Sequence, residues 1–374
     1  MTTFGVSSRN EKTEVQMPIA EIRPDMVLSR DIVIDKGITL LAKNTMLNHT
    51  NCSRLQIYDI PYVYVKAASI NTDLPYVTFE RTPIDKKVHI AKRDDFKAFE
   101  KNYKEKTKEV EKAIRAISDG AVIDLSELQT LTSNIMGKLR CKSDVLTFIS
   151  TLKNFSEHTY THSTNVSLLS NLFGSWMGLN EESMLNLTTA GMLHDIGKTK
   201  TPPEILNKTG ALTNAEYKIM KEHTVEGYRI LEAQSIPADV KMAALLHHEK
   251  MDGSGYPLGL KGYKINQLAK MVSIVDIYDA MTANRVYRAK ICPFTVIKTF
   301  ERKSYGELDT EFLLVFLRNI AYTYIGAWVR LTDGREAEVM FINQNNLANP
   351  IVRTADGAII DLVYEKDLSI SELL

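Results

Sequence analysis

The chain has 374 residues, of which 44% are hydrophobic and 25% are charged. This length and composition allow one large core and at least one smaller core, so two or three domains are expected. Lysine plus arginine (46) equals aspartate plus glutamate (46), and this balance argues against binding a polymeric nucleic acid or an anionic membrane surface.

Cysteine usage and the length of the apolar runs predict a cytoplasmic protein. Cys52, Cys141 and Cys292 lie far apart and show no CxxC spacing, so neither a disulfide framework nor a zinc knuckle is expected. No stretch approaches the ~18 apolar residues that a membrane-spanning helix needs, and the N-terminal sequence lacks the apolar core of a signal peptide. We therefore expect reduced thiols and no membrane insertion.

The first third of the chain predicts a small β-rich domain and then a connector. Residues 1–12 are polar and are expected to be loose. Residues 13–68 alternate β-branched and aromatic runs with turn signals, a pattern typical of short strands and of an accessory domain. Residues 69–123 combine a proline-containing linker with a charged helix from Asp94 to about Ser118, which we expect to be a solvated spacer or to pack on a partner.

The rest of the chain predicts a helical body followed by strands. Residues 124–325 repeat apolar side chains at helical spacing, broken by a Pro-Pro pair and by a glycine-rich segment at 252–262. Within 326–374 there are two Asp-Gly turns, each with a strand-like run before it and another after it, which predicts β-hairpins. The predicted fold class is mainly α, a helical bundle with a small N-terminal β-rich domain and C-terminal β-hairpins.

Six of the eight histidines fall within 91 residues of the helical body. Any one of them is more often an ordinary core histidine than a ligand, but six together favour a metal site. His158 and His162 are four residues apart, so on a helix they project from the same face. A capping-box pattern at Thr213–Glu216 begins the separate helix that would carry His223. The six residues are His158, His162, His194, His223, His247 and His248.

Two aspartates complete the candidate site. Asp195 follows His194 in AGMLHDIGK, where we expect an apolar helix to end at Gly197, and its two carboxylate oxygens can each bind one cation. Asp276 lies in the strongly apolar segment AKMVSIVDIYDAMTA. An ionised carboxylate there costs several kcal/mol unless it is paired or bound to metal.

The donor chemistry favours first-row metal ions over calcium. Imidazole and carboxylate donors without thiolates suit iron, manganese, zinc, nickel or cobalt. Two such ions about 3.5–4 Å apart can share a water, lower its pKa toward neutrality and offset the charge on a phosphoryl oxygen. The predicted chemistry is hydrolysis without a serine or cysteine nucleophile.

The order of these histidines and aspartates along the chain resembles the HD superfamily of metal-dependent phosphohydrolases. HHEKMDGSGYP (His247–Pro257) resembles the signature of its HD-GYP subfamily, and LHDIGK (193–198) and VDIYDAMTANRVYR (275–288) resemble two further motifs of that subfamily. The resemblance spans roughly residues 155–305. It implies an HD-type helical bundle that hydrolyses cyclic-di-GMP to pGpG, with further cleavage to GMP left open.

The resemblance also implies a role for each matched residue. Asp195 would bridge two divalent ions, with iron or manganese favoured, and Lys198 would contact a phosphate and assist the leaving oxygen. Tyr256 would line the substrate pocket. Arg285 and Arg288 would hold phosphate or guanine, with an ordinary surface pair as the alternative. The implied metal ligands are His162, His194, Asp195, His223, His247, His248 and Asp276.

One position departs from the family pattern. Members with a third metal tend to have a carboxylate four residues before the first histidine ligand, where this chain has His158. We offer the hypothesis that His158 binds a third ion, because an imidazole on the same helical face can reach it. A hydrogen-bonding role at the pocket edge is the alternative.

The sequence leaves the substrate and the partners partly open. A mixed cyclic GMP-AMP dinucleotide is the alternative substrate. The GYP segment argues against an HD enzyme acting on dNTPs or ppGpp, and the presence of all seven expected ligands argues against a non-catalytic sensor. A homodimer and a signalling-protein partner both stay open.

Overall fold

The computed structural model describes residues 14–23, 25–34, 38–48, 51–52, 55, 60, 62–70, 94–137, 144–152, 159–283, 291–304 and 306–374. The chain divides into two compact units, Met1–Pro83 and Ile84–Leu374. No helix in the described part of the chain is both long enough and apolar enough to cross a bilayer.

The first unit contains two antiparallel strand pairs, in which β1 pairs with β4 and β2 with β3. In β4, Val63 and Val65 are buried and alternate with the more exposed Tyr62 and Tyr64, as expected for a strand with one face on a core. The predicted small β-rich N-terminal part is confirmed. The strands are β1 (Glu14–Pro18), β2 (Ile32–Ile34), β3 (Ile38–Leu41) and β4 (Tyr62–Lys66).

The second unit is a helical body followed by a β-sheet, which confirms the predicted fold class. At its centre α10 is buried on nearly every side and begins at Asn266, whose side chain accepts hydrogen bonds from the backbone N–H groups of Leu268 and Ala269. The described helices are α1 (Asp94–Ser118), α2 (Leu125–Met136), α3 (Asp144–Thr151), α4 (Thr159–Met177), α5 (Glu181–Leu193), α6 (Pro203–Leu206), α7 (Asn214–Lys221), α8 (His223–Glu232), α9 (Ala238–Leu246), α10 (Gln267–Thr282), α11 (Pro293–Lys303) and α12 (Thr310–Thr323).

The charged helix α1 is not a solvated spacer, contrary to our expectation. It carries a stripe of buried apolar side chains spaced three, four or seven residues apart, and it packs against α2 and α4. The Tyr103 hydroxyl donates a 2.6 Å hydrogen bond to the side-chain oxygen of Asn165 on α4. The charges of α1 cover only its outer face. The stripe consists of Phe96, Phe99, Tyr103, Val110, Ile114 and Ile117.

The helix before the His-Asp pair ends earlier than predicted. α5 stops at Leu193 with His194 as its C-cap, and a 3₁₀ turn covers Ile196–Lys200. Gly197 lies inside this turn and is not a helix terminator. A Cβ at Gly197 would lie 1.9 Å from the backbone oxygen of His223, so the glycine is needed for close packing of the turn on α8.

The chain ends in a five-stranded antiparallel sheet in the order β8-β7-β6-β5-β9. Both predicted Asp-Gly hairpin turns are present, with Gly334 at φ 89° and Gly357 at φ 90°. The two hairpins are joined by the pairing of β6 with β7. The sequence did not predict the pairing of β9 with β5, which adds a fifth strand at the edge of the sheet. The strands are β5 (Trp328–Leu331), β6 (Glu336–Asn343), β7 (Asn346–Thr354), β8 (Ile359–Asp361) and β9 (Ile370–Leu373).

Candidate metal centre

The helical body brings the seven predicted ligand residues together in two adjacent groups. Asp195, His223, His247 and His248 form group one, and His162, His194 and Asp276 form group two. Within each group, one potential ligand atom per residue lies within 4.8 Å of the others. The residues come from α4, α8 and α10 and from the C-terminal ends of α5 and α9.

Asp195 lies between the two groups. Its Oδ1 atom is 3.4 Å from His223 Nε2 and 3.7 Å from His247 Nε2 in group one. Its Oδ2 atom is 3.3 Å from His194 Nε2 and 3.7 Å from His162 Nε2 in group two. One carboxylate therefore presents a different oxygen to each set of imidazoles, which is the arrangement needed to bridge two cations.

Group two is completed by Asp276 on α10. Asp276 Oδ1 lies 3.0 Å from His162 Nε2 and 4.0 Å from His194 Nε2. Its other oxygen is 4.0 Å from His248 Nδ1 of group one, so this carboxylate also faces both groups. The burial of Asp276, predicted from its apolar sequence surroundings, is confirmed at 9% exposure.

Backbone carbonyls orient three of the imidazoles. In each, Nδ1 contacts a carbonyl oxygen, and because a carbonyl only accepts, Nδ1 must donate. The Nε2 atom then carries the lone pair that faces the centre, which is the tautomer a metal ligand needs. The contacts are His194 Nδ1 to Gly191 O (2.8 Å), His223 Nδ1 to Met220 O (2.6 Å) and His247 Nδ1 to Ala244 O (3.1 Å).

His162 is oriented by a carboxylate that the sequence analysis missed. Its Nδ1 atom lies 2.7 Å from Oδ2 of Asp279, which is 2% exposed. Asp279 lies three residues after Asp276, so both carboxylates project from neighbouring positions on one face of α10. That spacing in DIYD was the available signal.

Burial and neighbouring charges set the ionisation of the predicted ligands. Burial lowers the pKa of His223 and of His247, and it lowers the pKa of His248 to about 3, so all three imidazoles are neutral donors near pH 7. Burial acts against ionisation of Asp195. The positive charge of Lys198 and the neighbouring His194 nevertheless hold the pKa of Asp195 well below its ordinary value.

His162 and Asp276 are buried and stabilise each other's charged form. Burial alone would lower the pKa of His162, but hydrogen bonds to Asp276 and Asp279 raise it to about 10. Burial likewise opposes ionisation of Asp276, and the hydrogen bond and charge of His162 hold the pKa of that carboxyl below its usual range. A positive charge therefore stabilises this group of donors.

These donors fit divalent cations. His194 Nε2 and Asp195 Oδ1 are buried and have no hydrogen-bond partner among the described residues. Leaving a buried carboxylate oxygen and a buried imidazole nitrogen unpaired is unfavourable. A cation in group one would satisfy Asp195 Oδ1, and a cation in group two would satisfy His194 Nε2. The mixed nitrogen and oxygen donor set suits first-row transition ions.

Two predicted substrate-contacting residues border the centre. Lys198 donates a short hydrogen bond from Nζ to Asp195 Oδ2. The ring of Tyr256 stacks on His248, with 4.7 Å between ring centroids and 30° between planes. Burial raises the pKa of Tyr256, so its hydroxyl stays protonated. The other predicted positions, His158, Arg285 and Arg288, lie outside the described residues.

Comparison with known proteins identifies the helical body. Residues 147–311 match the HD domain family. A cyclic di-GMP phosphodiesterase of Pseudomonas aeruginosa is 32% identical over 235 residues, which are 63% of this chain and 56% of that protein. Residues 147–311 are therefore an HD domain.

Two further relatives are similar over shorter stretches. The 3'3'-cGAMP-specific phosphodiesterase 1 of Vibrio cholerae is 35% identical over 170 residues, covering 45% of this chain and 39% of that protein. A cyclic di-GMP phosphodiesterase of Thermotoga maritima is 39% identical over 151 residues, covering 39% of this chain and 40% of that protein. The chain thus spans about two fifths to just over half of these curated relatives.

One solved structure has a related fold. The HDG"Y"P protein Bd1817 of Bdellovibrio bacteriovorus aligns with a TM-score of 0.50 and 15% sequence identity, and the alignment covers 81% of this chain and 98% of that one. At this identity the likeness concerns the fold alone.

Two residues of the HD-GYP signature have structural roles that the sequence analysis did not foresee. Glu249, 3% exposed, accepts hydrogen bonds from three consecutive backbone N–H groups of the segment that follows Tyr256. A Cβ at Gly255 would lie 2.4–2.5 Å from backbone atoms of Glu249 and Lys250. Both residues hold the GYP segment against the end of α9. The three donors are Leu258 (2.6 Å), Gly259 (3.1 Å) and Leu260 (2.9 Å).

Proposed function

We propose that this chain is a metal-dependent phosphodiesterase that hydrolyses cyclic-di-GMP to pGpG. The observation that carries the proposal is the position of Asp195, which offers one oxygen to each of two imidazole groups. The names of the Pseudomonas and Thermotoga relatives support cyclic-di-GMP as the substrate.

We propose that the two ligand groups hold one divalent ion each, iron or manganese, with Asp195 between them. Group one would use His223, His247 and His248, and group two would use His162, His194 and Asp276. When bound, the ions would lower the pKa of a shared water and offset charge on a phosphoryl oxygen. A third ion at His158 stays a prediction.

The chain's own residues would position the substrate and move protons. Lys198 reaches the centre from the 3₁₀ turn after Asp195, so its ammonium can turn to a phosphate oxygen and donate a proton to the leaving oxygen. The protonated hydroxyl of Tyr256 can donate to the substrate at the pocket wall. Arg285 and Arg288 are proposed to hold phosphate or guanine.

A second candidate substrate is 3'3'-cGAMP. A Vibrio cholerae relative that is 35% identical over 170 residues is named as specific for that dinucleotide. Both substrates present a phosphodiester to the same centre, so the choice between them concerns the base-binding residues and not the metal ligands.

The experiment is product analysis with metal-loaded protein. We expect anaerobically purified protein, loaded with iron or manganese, to convert cyclic-di-GMP to pGpG, and a parallel reaction with 3'3'-cGAMP ranks the two substrates. His194→Ala and Asp195→Ala should lose turnover because each removes a ligand from the centre. Asp367→Ala makes the same chemical change as Asp195→Ala but at an exposed turn, so this control should retain turnover. Wild-type protein that releases no linear product, or folded ligand variants with undiminished turnover, would refute the proposal.

We further propose residues 124–325 as the catalytic domain and 13–68 as an accessory domain, with 326–374 as a C-terminal extension. The family match at 147–311 lies within the proposed catalytic domain. Expression of 84–374, the second compact unit, tests this division: it should retain hydrolysis if the catalytic residues need only that unit.

A further inference from the structure

A lysine lies beside the aromatic rim of the metal centre. Lys221 is the last residue of α7 and precedes the predicted ligand His223 by two positions. Its Nζ atom is 5.0 Å from the ring centroid of Tyr256 and 4.6 Å from that of Tyr217. Because Tyr256 stacks on His248, these side chains form a continuous path from group one to Tyr217, which is 47% exposed.

The ammonium of Lys221 is held without a carboxylate. Among the described residues it makes no ion pair, whereas Lys198 on the inner side of the centre is paired with Asp195. Attraction between an ammonium and the faces of two aromatic rings fixes its position and leaves N–H donors available for an anion. Lys221 is half-buried, so part of its hydration is already lost before a ligand arrives.

The chemistry of a cyclic dinucleotide matches this arrangement. Such a molecule carries two phosphodiester groups, each with one negative charge, and a metal centre that cleaves one of them leaves the other to be neutralised elsewhere. A cation beside the rim, next to aromatic rings, suits a phosphate flanked by nucleosides. We propose that Lys221 binds the uncleaved phosphate of the cyclic dinucleotide and that Tyr217 and Tyr256 position its ammonium. This inference rests on the proposed function.

The test compares two lysines of the same helix. Lys221→Ala should raise KM for cyclic-di-GMP about 10- to 100-fold, as expected for a charge-assisted hydrogen bond, and change kcat much less. Lys218→Ala removes the same charge from an exposed position of α7 and should leave KM within about twofold of wild type. Lys221→Arg should restore most of the affinity, because a guanidinium also binds phosphate.

A substrate with one phosphodiester separates this contact from damage to the metal centre. Bis(p-nitrophenyl) phosphate has no second phosphate, so Lys221→Ala should reduce kcat/KM for cyclic-di-GMP at least about tenfold more than for this substrate. Metal content should equal that of wild type. Tyr217→Ala should raise KM for cyclic-di-GMP, whereas Tyr217→Phe, which keeps the ring, should not.

The outcomes distinguish the two proposals. Suppose that wild type hydrolyses cyclic-di-GMP. If Lys221→Ala then behaves like Lys218→Ala, or loses kcat/KM equally for both substrates, the proposed role of Lys221 is wrong and the proposed function stands. If wild type cleaves bis(p-nitrophenyl) phosphate but no cyclic dinucleotide, the proposed function is wrong and the role of Lys221 falls with it.

Discussion

Replacement of Asp279 should selectively weaken the binding of one metal ion. Asp279 contacts none of the predicted group-one ligands through a hydrogen bond in the described structure, but its carboxylate lies 2.7 Å from His162 Nδ1. His162 belongs to group two. Asp279→Ala removes the acceptor and leaves a buried N–H without a partner, so His162 can rotate or adopt the other tautomer. Either change misdirects Nε2, the atom that faces Asp276.

The magnitude follows from the kind of bond that is lost. A hydrogen bond to a charged group is worth about 1.5–3 kcal/mol, equivalent to a factor of about 10–150 in a binding constant. Loss of a partner that orients a ligating histidine weakens metal binding by about 10- to 100-fold, in agreement with that range. Asp279→Asn keeps an oxygen acceptor but loses the charge, so we expect a change of about tenfold or less.

The assay is competition for metal against a chromophoric chelator, with the bound metal counted in parallel. Asp279→Ala should bind its first ion with nearly wild-type affinity and its second ion 10- to 100-fold more weakly. Asp367→Ala, at an exposed turn between β8 and β9, controls for the loss of one negative charge. An Asp279→Ala protein that remains folded and binds two ions as tightly as wild type would refute the reasoning, as would equal weakening of both ions.

Two further substitutions test the scaffold of the centre. Glu249→Gln places an amide donor against one of three backbone N–H groups, so we expect a loss of about 2–4 kcal/mol in the free energy of unfolding. Urea unfolding measures this loss, with Glu182→Gln at an exposed helix start as the control. An unchanged urea midpoint for Glu249→Gln would contradict this account. Gly197→Ala would place a Cβ 1.9 Å from the His223 backbone oxygen, so the protein should lose group-one metal or fail to fold. The control is Gly210→Ala, whose added Cβ meets no neighbouring atom within 4 Å. That variant should be soluble and bind metal normally.

The sequence predicted the members of the centre better than the side chains that orient them. The predicted ligands extend from His162 to Asp276 and lie together in the structure. Four of them stand in His-Asp and His-His pairs, which are rare and chemically distinctive, and the other three were predicted from the clustering of histidines and from the apolar surroundings of Asp276. Glu249 belongs to one of those motifs, but its partners lie 9–11 residues later, so its role depends on a loop closure that local sequence does not specify. The position of Asp279 on the same helical face as Asp276 could have been predicted from their three-residue spacing, but it was missed.

Helix α1 shows a different reason for error. Its many charges suggested a solvated spacer, but Phe96, Phe99 and Tyr103 recur at three- and four-residue spacing, Val110 follows two turns later, and all four are buried. Periodicity was the better guide than composition here. The pairing of β5 with β9 could not be predicted in the same way, because it joins strands about 40 residues apart and no turn signal specifies the register.

Helix ends explain how two pairs of adjacent predicted ligands can face one centre. On a continuous helix, neighbouring side chains point about 100° apart, which would prevent His194 and Asp195 from facing the same centre closely. Here α5 ends at Leu193 and α9 at Leu246, so each pair begins where the backbone leaves the helix and its two side chains can converge.

The same helix ends supply carbonyl groups that have no partner within the helix. These carbonyls accept the Nδ1 protons of His194 and His247, and the end of α7 does the same for His223. The C-terminal end of a helix is also the negative end of its dipole, which favours a nearby cation. The orientation of these imidazoles and the negative potential at the centre thus have one structural origin, the meeting of three helix C-termini.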